Sequence, residues 1–344
     1  MQISGLLKKI SFPFSSAMPL GLDVGNFSVK LVQVKRSGLN KERILSFAVV
    51  PLSPEGSKGA VISAIQQACQ QLSAGSNKVN ISICGPNVIV RYIILPYMQE
   101  KDLAKSFDFE LERYIPFKRQ DAVVDYRILA RLSNNQMVVL LVAAEERFIQ
   151  ERIELVKGAG LEPQIVNVDA FALMSAFRAA TADSKRVTGI LDVGYHLSKL
   201  VVFESDIPYF SRDIEIGERE ILQVVSERLG IDFNLAKELS YQDKEDKHKQ
   251  IAEAVATTLG SLLSELSLSF EYCERDLEKR VEQLYISGGG SRIKVLLEAL
   301  AGLPDLKSNI WNPVQGFRLA PEVAPGSLEE YSHLLAVAVG LALS

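Results

Sequence analysis

The sequence predicts an α/β fold built from two related lobes that face each other across a cleft. Three observations carry this. Leu22-Asp23-Val24-Gly25-Asn26-Phe27-Ser28-Val29-Lys30 and Leu191-Asp192-Val193-Gly194-Tyr195-His196-Leu197-Ser198-Lys199 repeat one theme far apart in the chain. Each is an apolar run, an Asp-Val-Gly turn and a second apolar run, which reads as strand, tight turn, strand. A third stretch, Tyr285-Ile286-Ser287-Gly288-Gly289-Gly290-Ser291-Arg292, reads as a strand entering a glycine turn before a helix.

The elements follow in order. Strands are expected over 20–24, 28–35 and 43–50, with turn chemistry at Ser37-Gly38-Leu39-Asn40. Val61, Ile65, Ala68 and Leu72 fall on one face of a helix over 58–72. Strands over 79–84 and 88–95 flank Gly85-Pro86-Asn87, and Pro96 closes the unit. A charged helix over 99–114 ends near Pro116, because the residue before proline is disfavoured in a helix. Strands over 123–132 and 137–144, a helix over 145–159 and a strand over 164–168 complete an expected α/β insert.

After a helix over 169–180 the theme restarts, with strands over 187–193, 199–204 and 208–214 and a helix over 217–229. Residues 241–249 are so charged that they read as a solvated turn. Ile251, Val255, Leu259, Leu262, Leu266, Phe270, Cys273 and Leu277 recur at steps of three and four, which predicts one long amphipathic helix. A strand over 283–287, a helix over 292–301, a short strand over 309–312 carrying Trp311, and an apolar final helix from about His333 end the chain. The expected units are a leader over 1–17, a first lobe over 18–97, an insert over 98–168 and a link helix over 169–185. A second lobe over 186–330 follows, with a helical part over 223–284, and a closing helix over 331–344 returns to the first lobe.

Composition narrows the function. With 344 residues, two sizeable domains are expected. A net charge of −4 argues against a protein that grips nucleic acid through a basic face. Cys69, Cys84 and Cys273 are scattered, which offers neither a disulfide framework nor a zinc site and suits a reducing compartment. No uninterrupted apolar run reaches membrane-spanning length. The segment 5–14 mixes Lys8 and Lys9 with large apolar residues and reads as a leader or a membrane-surface contact rather than a secretion signal.

The repeated turns suggest phosphate chemistry. Gly25 and Gly194 let the backbone approach a ligand closely, and successive N–H groups in such turns form anion-binding nests. Asp23 and Asp192 are placed to hold a hydrated Mg²⁺, which keeps most of its waters. Lys30 would add positive charge toward the phosphates. The alternative reading is two ordinary hairpins with aspartates serving the turns. His196, His248 and His333 lie apart from each other and suggest no metal site.

The order of these elements resembles the actin-like ATPase superfamily, with its duplicated, ribonuclease H-like lobes. Asp23 to Lys30 is similar to its first phosphate loop, Asp192-Val193-Gly194 to its second, and Gly288-Gly289-Gly290-Ser291-Arg292 to its adenosine motif. Within it, Leu95-Pro96, Phe109-Glu110-Leu111-Glu112-Arg113-Tyr114-Ile115-Pro116-Phe117, Gly160-Leu161-Glu162-Pro163 and the ending Ala336-Val337-Ala338-Val339-Gly340-Leu341 resemble the PilM family of type IV pilus assembly proteins, whose insert is FtsA-like in kind.

The resemblance implies ATP or ADP with Mg²⁺ at Asp23, Gly25, Asn26, Phe27, Ser28, Lys30, Asp192, Gly194, Tyr195, Lys237, Gly288, Gly289, Gly290 and Arg292. It implies a cytoplasmic scaffold that meets the inner membrane only through partners. The expected partner is the N-terminal cytoplasmic tail of a PilN-like membrane protein, docked by Glu110, Arg113, Tyr114, Pro116 and Phe117. A link to the pilus motor ATPase and self-association stay open, as does use in a related secretion or DNA-uptake machine.

Three positions depart from the superfamily pattern. Tyr195 stands where a small residue is usual, Ala236-Lys237-Glu238 replaces the ribose-contacting helix motif, and Gly217-Glu218 replaces a Gly-Gly pair. They leave a nucleotide-free scaffold as one alternative. A small-molecule kinase is the other, although no residue is assigned as its catalytic group.

Overall fold

The computed structural model describes residues 19–37, 42–52, 56–181, 185–242, 245–321, 323 and 325–344. The expected leader and most of the 37–40 turn lie outside them.

The first lobe starts with β1 (Leu20–Val24), β2 (Ser28–Ser37) and β3 (Glu42–Pro51), followed by α1 (Lys58–Leu72) and β4 (Lys78–Ile83). Ser57 caps α1 by accepting from the Ala60 N–H. The insert comprises β5 (Val88–Pro96), α2 (Glu100–Glu110), β6 (Ala122–Arg131) and β7 (Gln136–Glu145). The chain then returns through α3 (Glu146–Gly158), β8 (Glu162–Val168) and α4 (Asp169–Ala180).

The second lobe is β9 (Thr188–Val193), β10 (Ser198–Glu204), β11 (Ile207–Ile214), α5 (Glu218–Leu229), α6 (Phe233–Tyr241), α7 (Glu245–Leu277), β12 (Gln283–Ser287), α8 (Lys294–Ala301) and β13 (Lys307–Ile310). The end returns once more through β14 (Arg318–Leu319), α9 (Pro325–Tyr331) and α10 (Ala336–Leu343).

Among the described residues three sheets form, ordered β14-β3-β2-β1-β4-β8, β11-β10-β9-β12-β13 and β5-β7-β6. Two strands sit in sheets other than those expected. β5 pairs along its whole length with β7, so the insert's sheet begins before residue 98. β8 lies parallel to β4 in the first-lobe sheet instead of in the insert. The physical reason is the crossover: α3 carries the chain back over α1, and a parallel partner needs such a connection.

The final helix decides how the lobes join. Ala336 to Ala342 of α10 are all buried, against β1 on one side and α4 on the other. The approach is so close that a Cβ on Gly340 would fall on the Ala172 carbonyl, and one on Gly21 would fall on the Ala338 carbonyl. The core around α10 and α4 continues into the second lobe, where Phe177 meets Phe203, Tyr285 and Trp311 at ring separations of 5.4, 4.7 and 5.5 Å. The second lobe has its own core, in which Ile251, Val255, Leu259, Leu262, Leu266 and Cys273 of α7 pack with α5 and α8. By length and composition Lys247–Leu277 is apolar enough to cross a membrane, a property of the averaged helix that no single apolar run had shown. Its buried stripe instead packs within this lobe.

Residues 241–249, expected as a solvated turn, are the end of α6 and the start of α7, with residues 243 and 244 outside the described set. Charge misleads there because residues 245–249 extend α7 ahead of its buried stripe, which begins at Ile251 and packs with α5 and α8.

Candidate functional site: the inter-lobe cleft and the insert patch

The two hairpins form with matching registers. Asp23 faces Lys30 across β1 and β2, and Asp192 faces Lys199 across β9 and β10. The Gly25 N–H donates to the Ser28 carbonyl at 3.1 Å, and the Gly194 N–H donates to the Leu197 carbonyl at 3.0 Å. These bonds close the turns. The turn tips touch: the Phe27 and Tyr195 rings lie 4.9 Å apart, tilted by 31°.

The glycine turn completes the cleft. Gly288 has φ +83°, and a Cβ there would strike the Val193 backbone, so this position requires glycine. Ser287 Oγ donates to Asp192 Oδ1 at 2.9 Å, and the Gly288 N–H donates to the His333 carbonyl at 2.8 Å. The segments around Gly25, Gly194 and Gly288 therefore converge. Instead of the expected helix from residue 292, a short 3₁₀ turn, Gly289–Arg292, precedes α8.

A ring of charged and aromatic side chains lines the cleft. The N-terminus of α5 rests on the second turn, with the Glu218 and Arg219 N–H groups donating to the carbonyls of Gly194 and Tyr195 at 2.8 and 2.9 Å. A carboxylate is favoured at that helix end, and buried Glu218 supplies it. Glu218 accepts a short hydrogen bond from Tyr241 and pairs with Lys237 at 3.3 Å. Burial first, and then the Glu218 charge, push the Tyr241 hydroxyl far above its ordinary range. Arg292 lies over the Tyr241 ring at 4.4 Å, and Lys237 over the Phe27 ring at 4.6 Å. A Cβ on Gly289 would meet the Glu218 carboxylate, so that carboxylate occupies the space beside the glycine turn.

Lys30 is turned to Asp23 Oδ2 at 3.1 Å. Lys199 Nζ lies 3.3 Å from Asp192 Oδ2 and 3.0 Å from Asp169 Oδ2, the latter on the first residue of α4. Burial works against the Lys199 ammonium, yet Asp169 and Asp192, with Asp23 further off, hold its pKa well above the lysine range. Burial likewise works against the Asp169 carboxylate, but Lys199 and hydrogen bonds from Ser82 and Cys84 keep its pKa below the usual value. His333 is pushed down to about 4, first by burial and then by the Arg292 charge.

This pairing bears on direct Mg²⁺ ligation by Asp23 and Asp192, not on the expected ion that keeps its waters. One carboxylate is taken by Lys30, and both oxygens of the other are taken by Lys199 and Ser287. Among the described residues no group of three or more His, Cys, Asp or Glu side chains is arranged to hold a metal. A phosphate fits better. The N–H groups of Asn26, Phe27, Tyr195 and His196 make no hydrogen bond among the described residues, which leaves two turns of free donors at the tips.

Lys199, Asp169, Glu218, Tyr241 and His333 were not singled out from the sequence as site residues. The seven-residue step from Asp192 to Lys199, identical to that from Asp23 to Lys30, was the one signal that could have found Lys199.

The insert patch is separate. Glu110 and Arg113 form an exposed pair at 3.3 Å, Pro116 is exposed, and Tyr114 and Phe117 are half-buried over the core around Phe107 and Ile115. α2 ends at Glu110, and a 3₁₀ turn over Leu111–Arg113 replaces the last expected helical turn. Phe109, absent from the expected set, is 89% exposed beside Glu110.

Comparison with known proteins follows the same lines. The family model described as type IV pilus assembly protein PilM matches residues 21–344. A solved PilM-PilN type IV pilus biogenesis complex contains a chain 27% identical to this one, with 96% of this chain and 98% of that chain covered and a TM-score of 0.79. The ethanolamine utilization protein EutJ from Carboxydothermus hydrogenoformans is 13% identical, covering 98% and 93%, with a TM-score of 0.56. MreB5 of Spiroplasma citri bound to ADP is 10% identical, covering 94% and 95%, with a TM-score of 0.52. At these lower identities the likeness concerns the actin-like fold alone.

Proposed function

Because the chain belongs to the PilM family of type IV pilus assembly proteins, we propose that it is an actin-like, nucleotide-binding scaffold at the cytoplasmic face of the inner membrane. It docks the N-terminal cytoplasmic tail of a PilN-like membrane protein and so connects the envelope complex to the motor side. The observation that carries this reading is the full-length match to the chain solved with PilN. Membrane contact is peripheral in this reading, made through the partner.

The insert patch is the proposed docking surface. Arg and aromatic side chains are favoured interface anchors, and Arg113, Tyr114 and Phe117 share this corner with Glu110 and Pro116. The exposed Glu110–Arg113 pair adds at most about 1 kcal/mol to stability, so its removal tests binding without unfolding the insert. The experiment is a fluorescence-anisotropy titration with the labelled N-terminal tail of the PilN-like protein. Binding by the wild type and a loss of about tenfold in Arg113→Ala is the expected result. No binding by the wild type refutes the docking.

In the same reading ADP or ATP lies between the turns, with its phosphates on the free N–H groups of residues 26, 27, 195 and 196 and its base near Arg292 and Tyr241. The contact of Phe27 with Tyr195 favours a second reading, in which the rings keep the cleft shut and the scaffold works without nucleotide. Phosphotransfer is not part of either reading. Asp23, Asp192 and Glu218 are each paired with a lysine, which leaves none of them poised as a base for an attacking hydroxyl.

A further inference from the structure

Asp169 and Asp192 come from different lobes and approach one point, and that point is occupied by an ammonium group. Lys199 Nζ lies 3.0 Å from Asp169 Oδ2 and 3.3 Å from Asp192 Oδ2, in a side chain only 13% exposed. Ser287 Oγ takes the remaining Asp192 oxygen at 2.9 Å. On the other side of the cleft Lys30 holds Asp23 at 3.1 Å. Each candidate metal carboxylate thus carries its own built-in cation, placed by the same seven-residue step in both hairpins. Mg²⁺ demands near-octahedral oxygen ligands at about 2.0–2.1 Å, and to take either carboxylate as a direct ligand it would have to displace an ammonium from a buried pair. Breaking such a pair by removing one partner is costly, because it leaves buried charge unmatched.

We infer that Lys199 stands in for the divalent cation of this cleft. It neutralises the two facing carboxylates, ties α4 of the first lobe to β10 of the second, and leaves one of its three N–H donors for a phosphate oxygen. The cleft therefore takes a nucleoside di- or triphosphate without a protein-held metal ion. This inference rests on the proposed nucleotide site for the identity of the anion, but its claim about the metal does not.

Two measurements on the full chain separate the claims. In the first, Mn²⁺ alone is titrated and free Mn²⁺ is read by its EPR signal. The wild type is expected to leave the signal at the protein-free level, while Lys199→Met at about 100 µM removes about half of it by exposing Asp169 and Asp192. Lys199→Arg, which keeps the charge, is expected to stay silent. In the second, a fluorescent ADP analogue is titrated into the wild type in Mg²⁺ and again in EDTA. Affinities within about threefold of each other are expected.

Sub-millimolar Mn²⁺ binding by the wild type that Asp192→Asn abolishes would overturn the inference. So would a loss of tenfold or more in EDTA, or a folded Lys199→Met that stays silent. Should Lys199→Met fail to fold, the two wild-type arms decide. If the analogue does not bind under either condition, the nucleotide reading falls, and the Mn²⁺ titration still judges the metal claim.

Discussion

Replacing Tyr195 by alanine isolates the feature that closes the cleft. In the structure the Tyr195 ring packs on Phe27 at 4.9 Å with a 31° tilt, between the two turns that would hold phosphate. An aromatic pair of this kind contributes about 0.5–1.5 kcal/mol beyond its buried area. A phosphate entering between the turns must part the rings, so that energy is subtracted from the intrinsic affinity. Removing the tyrosine ring removes the subtraction, and the affinity for a fluorescent ADP analogue should rise about 2- to 12-fold. The backbone contacts of residue 195 survive the change, since its carbonyl still accepts from the Arg219 N–H. Lys237 also keeps its place over Phe27 at 4.6 Å. The assay is an equilibrium fluorescence titration of both proteins at one ionic strength, with urea denaturation confirming that the variant is folded. An unchanged or weaker affinity in a folded Tyr195→Ala would refute the idea that the ring pair guards the site, and would make Tyr195 a contact of the ligand itself.

Two further perturbations test the frame around the cleft. His333 has a folded-state pKa of about 4 against an ordinary 6.5, so between these values the unfolded chain binds the extra proton. Its contribution to stability is whole above about pH 6.5 and is lost as the pH falls toward 4, by on the order of 2–3 kcal/mol. His333→Gln should flatten that part of the urea-denaturation profile relative to the wild type, and parallel profiles would remove the argument. Gly340→Val would drive a side chain into the Ala172 carbonyl of α4 and should cost at least about 1–3 kcal/mol. A variant within about 0.5 kcal/mol of wild type would mean that α10 can shift away freely.

Much of the fold was legible because it follows from short-range periodicity. The apolar runs in 20–24 and 188–193, the stripe of Ile251, Val255 and Leu259, and the small and apolar residues of 336–342 each point to one element wherever they sit. So do the paired Asp-x-Gly turns, whose chemistry is complete within ten residues. Strand partnership was not legible. The apolar residues of β5 and β8 suit either sheet, and only the pairing of β5 with β7 and the return of α3 over α1 ahead of β8 assign them. The start of α7 was misjudged for the opposite reason: residues 245–249 are charged and read as a solvated turn, yet they continue the helix whose buried stripe begins at Ile251.

Taken by itself, the chain order determined two hairpins with an aspartate and a lysine seven residues apart, a glycine-rich turn after a strand, and an insert with a Tyr-Ile-Pro-Phe corner. Which charges meet was decided only when the lobes closed. Lys199 found Asp169 from thirty positions away, Glu218 gathered Lys237 and Tyr241, and His333 came to lie under Gly288. Local geometry is set by each residue's near neighbours, whereas a buried charge takes whatever partner the packed core brings within about 3 Å, because leaving it alone in a poor dielectric costs too much.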